Sequence, residues 1–431
     1  MAAARLLAAV IDKATALDAL TDQEHGHPQF LALEVRDRAL VRAILVTALR
    51  YRGTIAALIE KRLERPLPAN ARTLDHILHV AAAQMLFLDV PDSAAVDLAV
   101  SHANSDPRSR RFASLVNAIL REVGRRKERA LPAALAQSAD APDWFVKRLE
   151  QAYGAARAEA ILAIHRLEPP MDFTVKSDPQ GWAEKFGGIV LENGTVRVGR
   201  LPAPVAELPG YAEGEWWVQD MAASLPAMML GDVRGKRVLD LCAAPGGKTA
   251  QLAAAGARVT AVDLSASRLK RLAANFERLK LEVEIVEANA LTFAPDALFD
   301  AVLLDAPCSS TGTVRRHPDV PWTKTPPDIE KLANLQRRML DHAVTLIRPG
   351  GVIVFANCSL DPLEGEDLID GFLADSSEFA IDPVAAADVP GVAPFLSERG
   401  WLRTTPEALR VEPEALSGCD GFFAVRLVRH G

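Results

Sequence analysis

Two short segments of this chain end an apolar run with a thiol. In "LLDAPCSSTG", Leu303–Gly312, aliphatic residues lead into Asp305 and then Cys308; in "FANCSL" they lead into Cys358. A thiolate that adds to carbon 6 of a pyrimidine makes carbon 5 enamine-like, able to take a methyl group from a sulfonium. Loss of the carbon 5 proton and elimination then free the thiol. This is covalent nucleophilic catalysis, one hard step divided into easier ones. A free thiol is mostly protonated at neutral pH, so such a site must lower its pKa, and Lys248 is the candidate cation. Asp305 could hold the base by its ring nitrogen or amino edge, and the base must leave its stack to be reached. The competing reading of any free cysteine is a small buried hydrophobe. That reading suits Cys242 and Cys419 better than the two thiols at strand ends.

A methyl donor needs a crevice, and the residues around 240–250, "DLCAAPGGKTA", offer one. In an open parallel sheet ligands bind beyond the carboxyl ends of the strands, beside the first strand. Gly246 and Gly247 let the backbone approach a ligand, and the following helix offers free N–H groups. Asp263 closes the next strand and is suited to accept hydrogen bonds from ribose hydroxyls. Asn289, after the third strand, can bond an adenine amino group, and Asp305 faces the same crevice. A phosphate-cradling loop fits poorly, because Cys242 stands where its first glycine belongs. A dinucleotide GxGxxG is also missing. A ligand with ribose and adenine but no phosphate remains, and S-adenosylmethionine fits. The competing reading of the Gly-Gly turn is a tight strand–helix connection.

These groups need elements to hold them. From Lys236 onward "KRVLDLC", "ARVTAVDL", "EVEIVEA", "FDAVLLDAP" and "GGVIVFANCS" read as buried strands. Helices are expected between them near 248–255, 265–279 and 328–347, giving a parallel sheet covered on both faces. "GFFAVRLV" is expected as an antiparallel edge strand. If the fourth and fifth strands are neighbours, Cys308 and Cys358 meet at the top of the sheet. Residues 1–130 show helical periodicity instead, with helices expected at 3–18, 31–49, 53–64, 72–88, 93–104 and 111–127. Residues 130–144 read as a linker, 143–165 as one helix, and 170–230 as short strands and turns with "ENGTVRVG" as a hairpin.

Bulk composition is that of a globular protein, 49% hydrophobic and 24% charged. A net charge of −7 gives no whole-chain signature of nucleic-acid binding, although the first 130 residues carry a slight excess of base. The four cysteines have no CxxC spacing, which argues against a disulfide framework and a cysteine-ligated metal. No metal is expected. The apolar N-terminal run is cut by Asp12 and Lys13, so it is no signal peptide, and no stretch is long enough to span a membrane. A cytoplasmic monomer is expected.

The segments "DLCAAPGGKT", "LLDAPCSSTGTVRRHPDV" and "FANCSLDPLEGE", preceded by "WWVQDMAA", resemble the RsmB/Sun family of ribosomal RNA cytosine-5 methyltransferases. "RALVRAILVTALRYRGTI", "ILHVAAAQMLFLDVP" and "FASLVNAILREVGR" resemble the NusB family. The resemblance implies a multi-domain chain: an all-α NusB-like domain over 1–130, a linker and small α+β RNA-binding subdomain over 131–230, and an α/β Rossmann-like class I methyltransferase domain over 231–431. It implies S-adenosylmethionine as cofactor, held by Cys242, Ala243, Ala244, Pro245, Gly246, Gly247 and Lys248, with Asp263 on the ribose. It makes Cys358 the nucleophile, Cys308 the thiol that assists release, and Asp305 the group between donor and base. The implied reaction is methylation of cytosine carbon 5 in small-subunit 16S ribosomal RNA. A transfer RNA target, or a non-enzymatic RNA-binding or ribosome-assembly factor, are the alternatives. The chain departs from the family pattern at Asn357, at Asn289 and at "FTVKSD". Arg315, Arg316 and His317, just after Cys308, are expected to grip RNA phosphates.

Overall fold

The computed structural model describes residues 1–67 and 71–430. The chain divides into two compact units, one formed by residues 1–167 and 314–325, the other by 168–313 and 326–431.

The first unit is helical. Its principal helices are Ala2–Lys13, Val35–Arg50, Arg52–Glu60, Arg72–Phe87, Asp92–Ser105, Ala113–Gln137, Asp143–Tyr153 and Ala155–His165. The helices up to Ala113–Gln137 put apolar stripes into one core, where Leu6, Leu7, Val10, Leu45, Leu78 and Leu120 lose all exposure; Asp143–Tyr153 and Ala155–His165 bury Phe145, Leu149 and Ile161 outside it. Burying each such side chain contributes roughly 1.5–3 kcal/mol. The alanine-rich residues 130–137, expected as linker, instead continue the helix that begins at Ala113, with Pro132 inside it. The single helix expected over 143–165 is two, because Gly154 adopts φ +78 and ends the first. Asp140 ties the pieces together: it accepts from Thr54 N at 2.6 Å, Thr54 Oγ1 at 2.9 Å and Arg166 Nε at 2.7 Å.

The second unit holds two sheets. The smaller is made of β1 (Met171–Val175), β2 (Ile189–Val190), β3 (Val196–Val198) and β4 (Trp216–Val218), in the order β2-β3-β1-β4 and antiparallel throughout. β2 and β3 are the expected hairpin. Its buried ion pair, Arg197 Nη2 to Asp172 Oδ2 at 2.6 Å, joins it to the rest of the unit. Arg197 Nη1 donates to Leu416 O and Gly418 O, and Met221 N donates to Asp172 Oδ2. Such a pair is held by its further hydrogen bonds; removing one partner typically costs 3–5 kcal/mol.

The larger sheet consists of β5 (Arg237–Leu241), β6 (Arg258–Asp263), β7 (Glu284–Glu287), β8 (Phe299–Asp305), β9 (Ile347–Asn357), β10 (Phe379–Ile381), β11 (Leu402–Thr404) and β12 (Phe422–Arg429). Its order is β10-β12-β9-β8-β5-β6-β7, with β11 also paired to β12. The five strands β5 to β9 are parallel. Residues 301–304 of β8 are wholly buried, as a strand covered on both faces requires. β12 is antiparallel as expected but is not an edge: it lies between β9 and β10, and its run Phe422–Val425 is buried. Helices Gly247–Ala254, Ala266–Leu279 and Pro326–Ala343 fall where the pattern predicts them.

Candidate active site

The chain reversal between β8 and β5 is the switch point of the larger sheet, and the glycine turn sits there. Cys242 turns the chain with φ +64, and Gly246 follows with φ +102, a left-handed conformation that a side chain would strain. A Cβ at Gly246 would also meet Leu272 and Phe276 at 3.2 Å. The helix Gly247–Ala254 is steadied from two sides. Thr249 Oγ1 donates to the buried Asp240 Oδ2 at 2.6 Å. Gln219, from "WWVQD", accepts from Trp217 Nε1 and Thr174 Oγ1 and donates to Gln251 Oε1 at 2.7 Å.

Asp263 ends β6 with its carboxylate nearly buried. Oδ2 accepts from Ala244 N at 3.2 Å and Oδ1 from Ser265 N at 3.0 Å. Arg268 Nη1 lies 3.7 Å from Oδ2, while Oδ1 keeps a lone pair for a further donor such as a ribose hydroxyl. Asn289 lies two residues beyond the end of β7, exposed, and its Oδ1 accepts from Leu291 N. Asp305 ends β8 and accepts from Lys248 Nζ at 2.8 Å. The Lys248 ammonium also lies 4.9 Å from the centre of the Phe422 ring. Burial pushes the Lys248 pKa down, but Asp305, Cys358 and Asp240 outweigh it and hold the ammonium charged. Asp240 sits deeper; burial, with Asp305 and Asp263 nearby, pushes it up to about 7.

β8 and β9 are adjacent, and their ends bring the two thiols together: Cys308 Sγ and Cys358 Sγ are 3.4 Å apart. Cys358 Sγ is also 3.6 Å from Ser310 Oγ. The two sulfurs titrate in opposite directions. The Cys358 pKa is lowered, first by the hydrogen bond from Cys308, with Ser310 and Lys248 adding to it against burial and Asp305. The Cys308 pKa is raised by that same bond to Cys358, then by burial and by the charges of Cys358 and Glu364. The arrangement therefore biases Cys358 toward thiolate and Cys308 toward thiol, beside the Lys248–Asp305 pair. Cys242 is pushed up to about 12, mainly by burial. Cys419 is wholly buried in the core, where its Sγ meets Thr405 O.

Asn357 keeps a hydrogen-bonding role. Its Nδ2 donates to Gln336 Oε1 and Glu364 O, and its Oδ1 accepts from Ser359 N. Glu364, Gln336, Ser309 and Ser359 around it were not singled out from sequence. The signal available was the first of two glutamates in "DPLEGE", close after the second thiol. The segment 314–325 belongs to the helical unit. Arg315 is 1% exposed there, so its guanidinium is not on a surface that a phosphate reaches. Burial reverses the sequence expectation for this residue: the arginine packs inside the unit, its backbone oxygen taking Arg50 Nη2. His317 pairs with Asp18 at 3.0 Å, and Asp319 Oδ2 accepts from Leu17 N. Among the described residues no group of His, Cys, Asp and Glu could hold a metal ion, and no helix is long and apolar enough to cross a membrane.

Comparison with known proteins agrees with this layout. The family model for 16S rRNA methyltransferase RsmB/F matches residues 227–428, and that of the NusB family matches residues 1–125. The ribosomal RNA small subunit methyltransferase B of Salmonella typhi is 35% identical over 83% of this chain and 86% of its own length. Among solved structures, that of PH0851 matches with a TM-score of 0.72 at 22% identity over 98% of both chains, which speaks for the fold. A methyltransferase homologue from Pyrococcus horikoshii matches at 26% identity and a TM-score of 0.54, over 66% of this chain and 93% of its own. With a switch-point glycine turn, two facing thiols and a relative that matches across both units, the chain belongs to the RsmB/F family of 16S rRNA methyltransferases.

Proposed function

We propose that this protein methylates carbon 5 of a cytosine in small-subunit ribosomal RNA through a covalent adduct between Cys358 and carbon 6 of the base. The single observation that carries the reading is the thiol pair at adjacent strand ends, 3.4 Å apart, with Cys358 biased toward thiolate and Cys308 toward thiol.

S-adenosylmethionine is the cofactor, and when bound it supplies the methyl group. Ala243, Ala244, Pro245, Gly246, Gly247 and the N–H groups of the following helix would line its side of the crevice, Asp263 would accept from the ribose hydroxyls, and Asn289 would stand on the adenine side. The position of Asp263 at the end of β6, with Oδ1 accepting, among the described residues, only from Ser265 N, supports that assignment.

The Cys358 sulfur forms a bond to carbon 6, and the displaced π electrons make carbon 5 nucleophilic, so that it would take the methyl group the bound cofactor supplies before its proton is removed. Lys248 stabilises the thiolate before attack and holds Asp305 toward the base. Once Cys358 is a thioether, its negative charge no longer opposes ionisation of Cys308. Cys308, having given its own proton to solvent, takes the carbon 5 proton, and the carbon 6–sulfur bond breaks to return Cys358 as thiolate. One proton per methyl group leaves to solvent, and the starting protonation of the pair is restored.

The test is incubation with methyl-labelled cofactor and small-subunit RNA lacking the modification, followed by nucleoside analysis. Label on cytosine carbon 5 supports the reading; label elsewhere, or none, overturns it. Transfer RNA run in parallel separates the two RNA targets.

A further inference from the structure

Glu364 is a wholly buried acid that no step above uses. It lies after β9, in the turn that follows Cys358. Its Oε1 accepts from Ser309 N at 2.9 Å and from Gln336 Nε2 at 2.8 Å. Its Oε2 accepts from Ser359 Oγ at 2.6 Å and from Ser309 Oγ. Ser309 follows Cys308 in sequence, and Ser359 follows Cys358. One carboxylate thus grips the residue next to each thiol. Around it the two loops are cross-bonded again: Leu360 N donates to Thr311 Oγ1 at 2.9 Å, and Gly312 N donates to Cys358 O at 2.9 Å. Asn357 and Gln336 close the circuit from behind, and Arg403 Nη1 donates to Ser359 O.

A carboxylate out of water is costly unless its oxygens are satisfied. Here four donors fill them, and burial still raises its pKa against those bonds. A simple packing role would be met by an apolar residue without that cost. What an acid does that an apolar residue cannot is accept from both loops at once.

We propose that Glu364 is a positioning residue for the thiol pair: its carboxylate joins the Cys308 loop to the Cys358 loop and thereby fixes the distance between the two sulfurs. The inference rests on the two-thiol reading above. Its charge acts as well. It raises the pKa of Cys308, which favours the thiol form there. Loss of the tie leaves each loop intact but lets the sulfurs drift apart, and a misplacement of about 1 Å costs on the order of 100-fold in rate.

The experiment compares wild type, Glu364→Ala and Glu364→Gln with two readouts. The first is kcat and KM for cofactor and RNA. The second is independent of methylation and of the RNA target: the rate at which diamide, a thiol oxidant that is reduced to the hydrazine, closes a Cys308–Cys358 disulfide, mapped by peptide mass spectrometry. Glutamine keeps an acceptor for Ser309 N and Gln336, and the serine hydroxyls can turn to accept from its amide. The alanine variant is expected to lose roughly 100-fold in kcat with KM changed less than about threefold. Its disulfide is expected to close roughly tenfold more slowly, and glutamine should recover most of both losses. If alanine does not fold, Ser359→Ala, which removes one of the four bonds, takes its place with losses of the same sign. Turnover within twofold of wild type, an unchanged rate of disulfide closure, or a glutamine variant as damaged as alanine would overturn the proposal. A wild type that closes the disulfide at the expected rate yet places no methyl on cytosine would instead overturn the function.

Discussion

The four thiols fall into two regions that differ in kind. Cys308 and Cys358 share the ends of β8 and β9 and pull each other's pKa apart, with Lys248 and Ser310 at hand. Cys242, at the end of β5, is half-buried near Asp305, Asp263 and Asp240, and burial with those carboxylates pushes it up to about 12. Cys419 lies wholly buried in the core, where its Sγ donates to Thr405 O at 3.4 Å. Cys242, Cys308 and Cys358 are each partly buried, and only Cys419 is wholly so. The presence of a donor and a cation separates the reactive pair from the rest, because the thiolate must be stabilised where water is excluded.

The contrast breaks most sharply if Cys358→Ala still turns over. The expected loss is roughly 10⁴-fold or more, since removing a nucleophile removes the step itself; single-turnover methylation with labelled cofactor measures it. Cys308→Ala should fall roughly 100-fold or more in turnover while accumulating a protein–RNA adduct that survives denaturing gel electrophoresis. A second signature has a definite sign. Losing the Cys308 donor raises the Cys358 pKa, so adduct formation in this variant should need a higher pH than in wild type. Lys248→Met removes the cation, unpairs Asp305 and should slow methylation roughly 10- to 100-fold at neutral pH. Thiolate is the active form and the cation favours it, so the rising limb of the pH–rate profile should move to higher pH; an unmoved limb would show that Lys248 does not act on Cys358. Cys419→Ala sits at the other end: turnover within about twofold, with roughly 1 kcal/mol of stability lost in denaturant titration.

The two units also differ in how far their sequence discloses them. Strands β5, β6, β8 and β9 are legible because a strand covered on both faces is a run of aliphatic residues, and the polar groups that end them mark the crevice. Facing thiols follow from that pattern once β8 and β9 are neighbours. β12 is legible as a strand but not in its position, since apolarity alone does not say whether a partner covers each side. In the helical unit the boundaries shift with local chemistry: Gly154 divides one expected helix, and alanines carry another through the expected linker to Gln137. Arg315 misleads because a charged run reads as surface, whereas the fold buries this guanidinium. Glu364 escapes notice for the opposite reason. An acid in a loop is ordinary in sequence, and only the tertiary structure brings Ser309, Ser359 and Gln336 around it.

The most direct measurement is the identity of the covalent bond. Cys308→Ala protein is incubated with cofactor and unmodified small-subunit RNA, the complex is digested with protease and nuclease, and the cross-linked peptide is sequenced by mass spectrometry. The account predicts a 5-methylcytosine nucleotide joined through sulfur to the peptide that contains Cys358. An adduct on any other residue, or its persistence when Cys358 is also replaced, would contradict it.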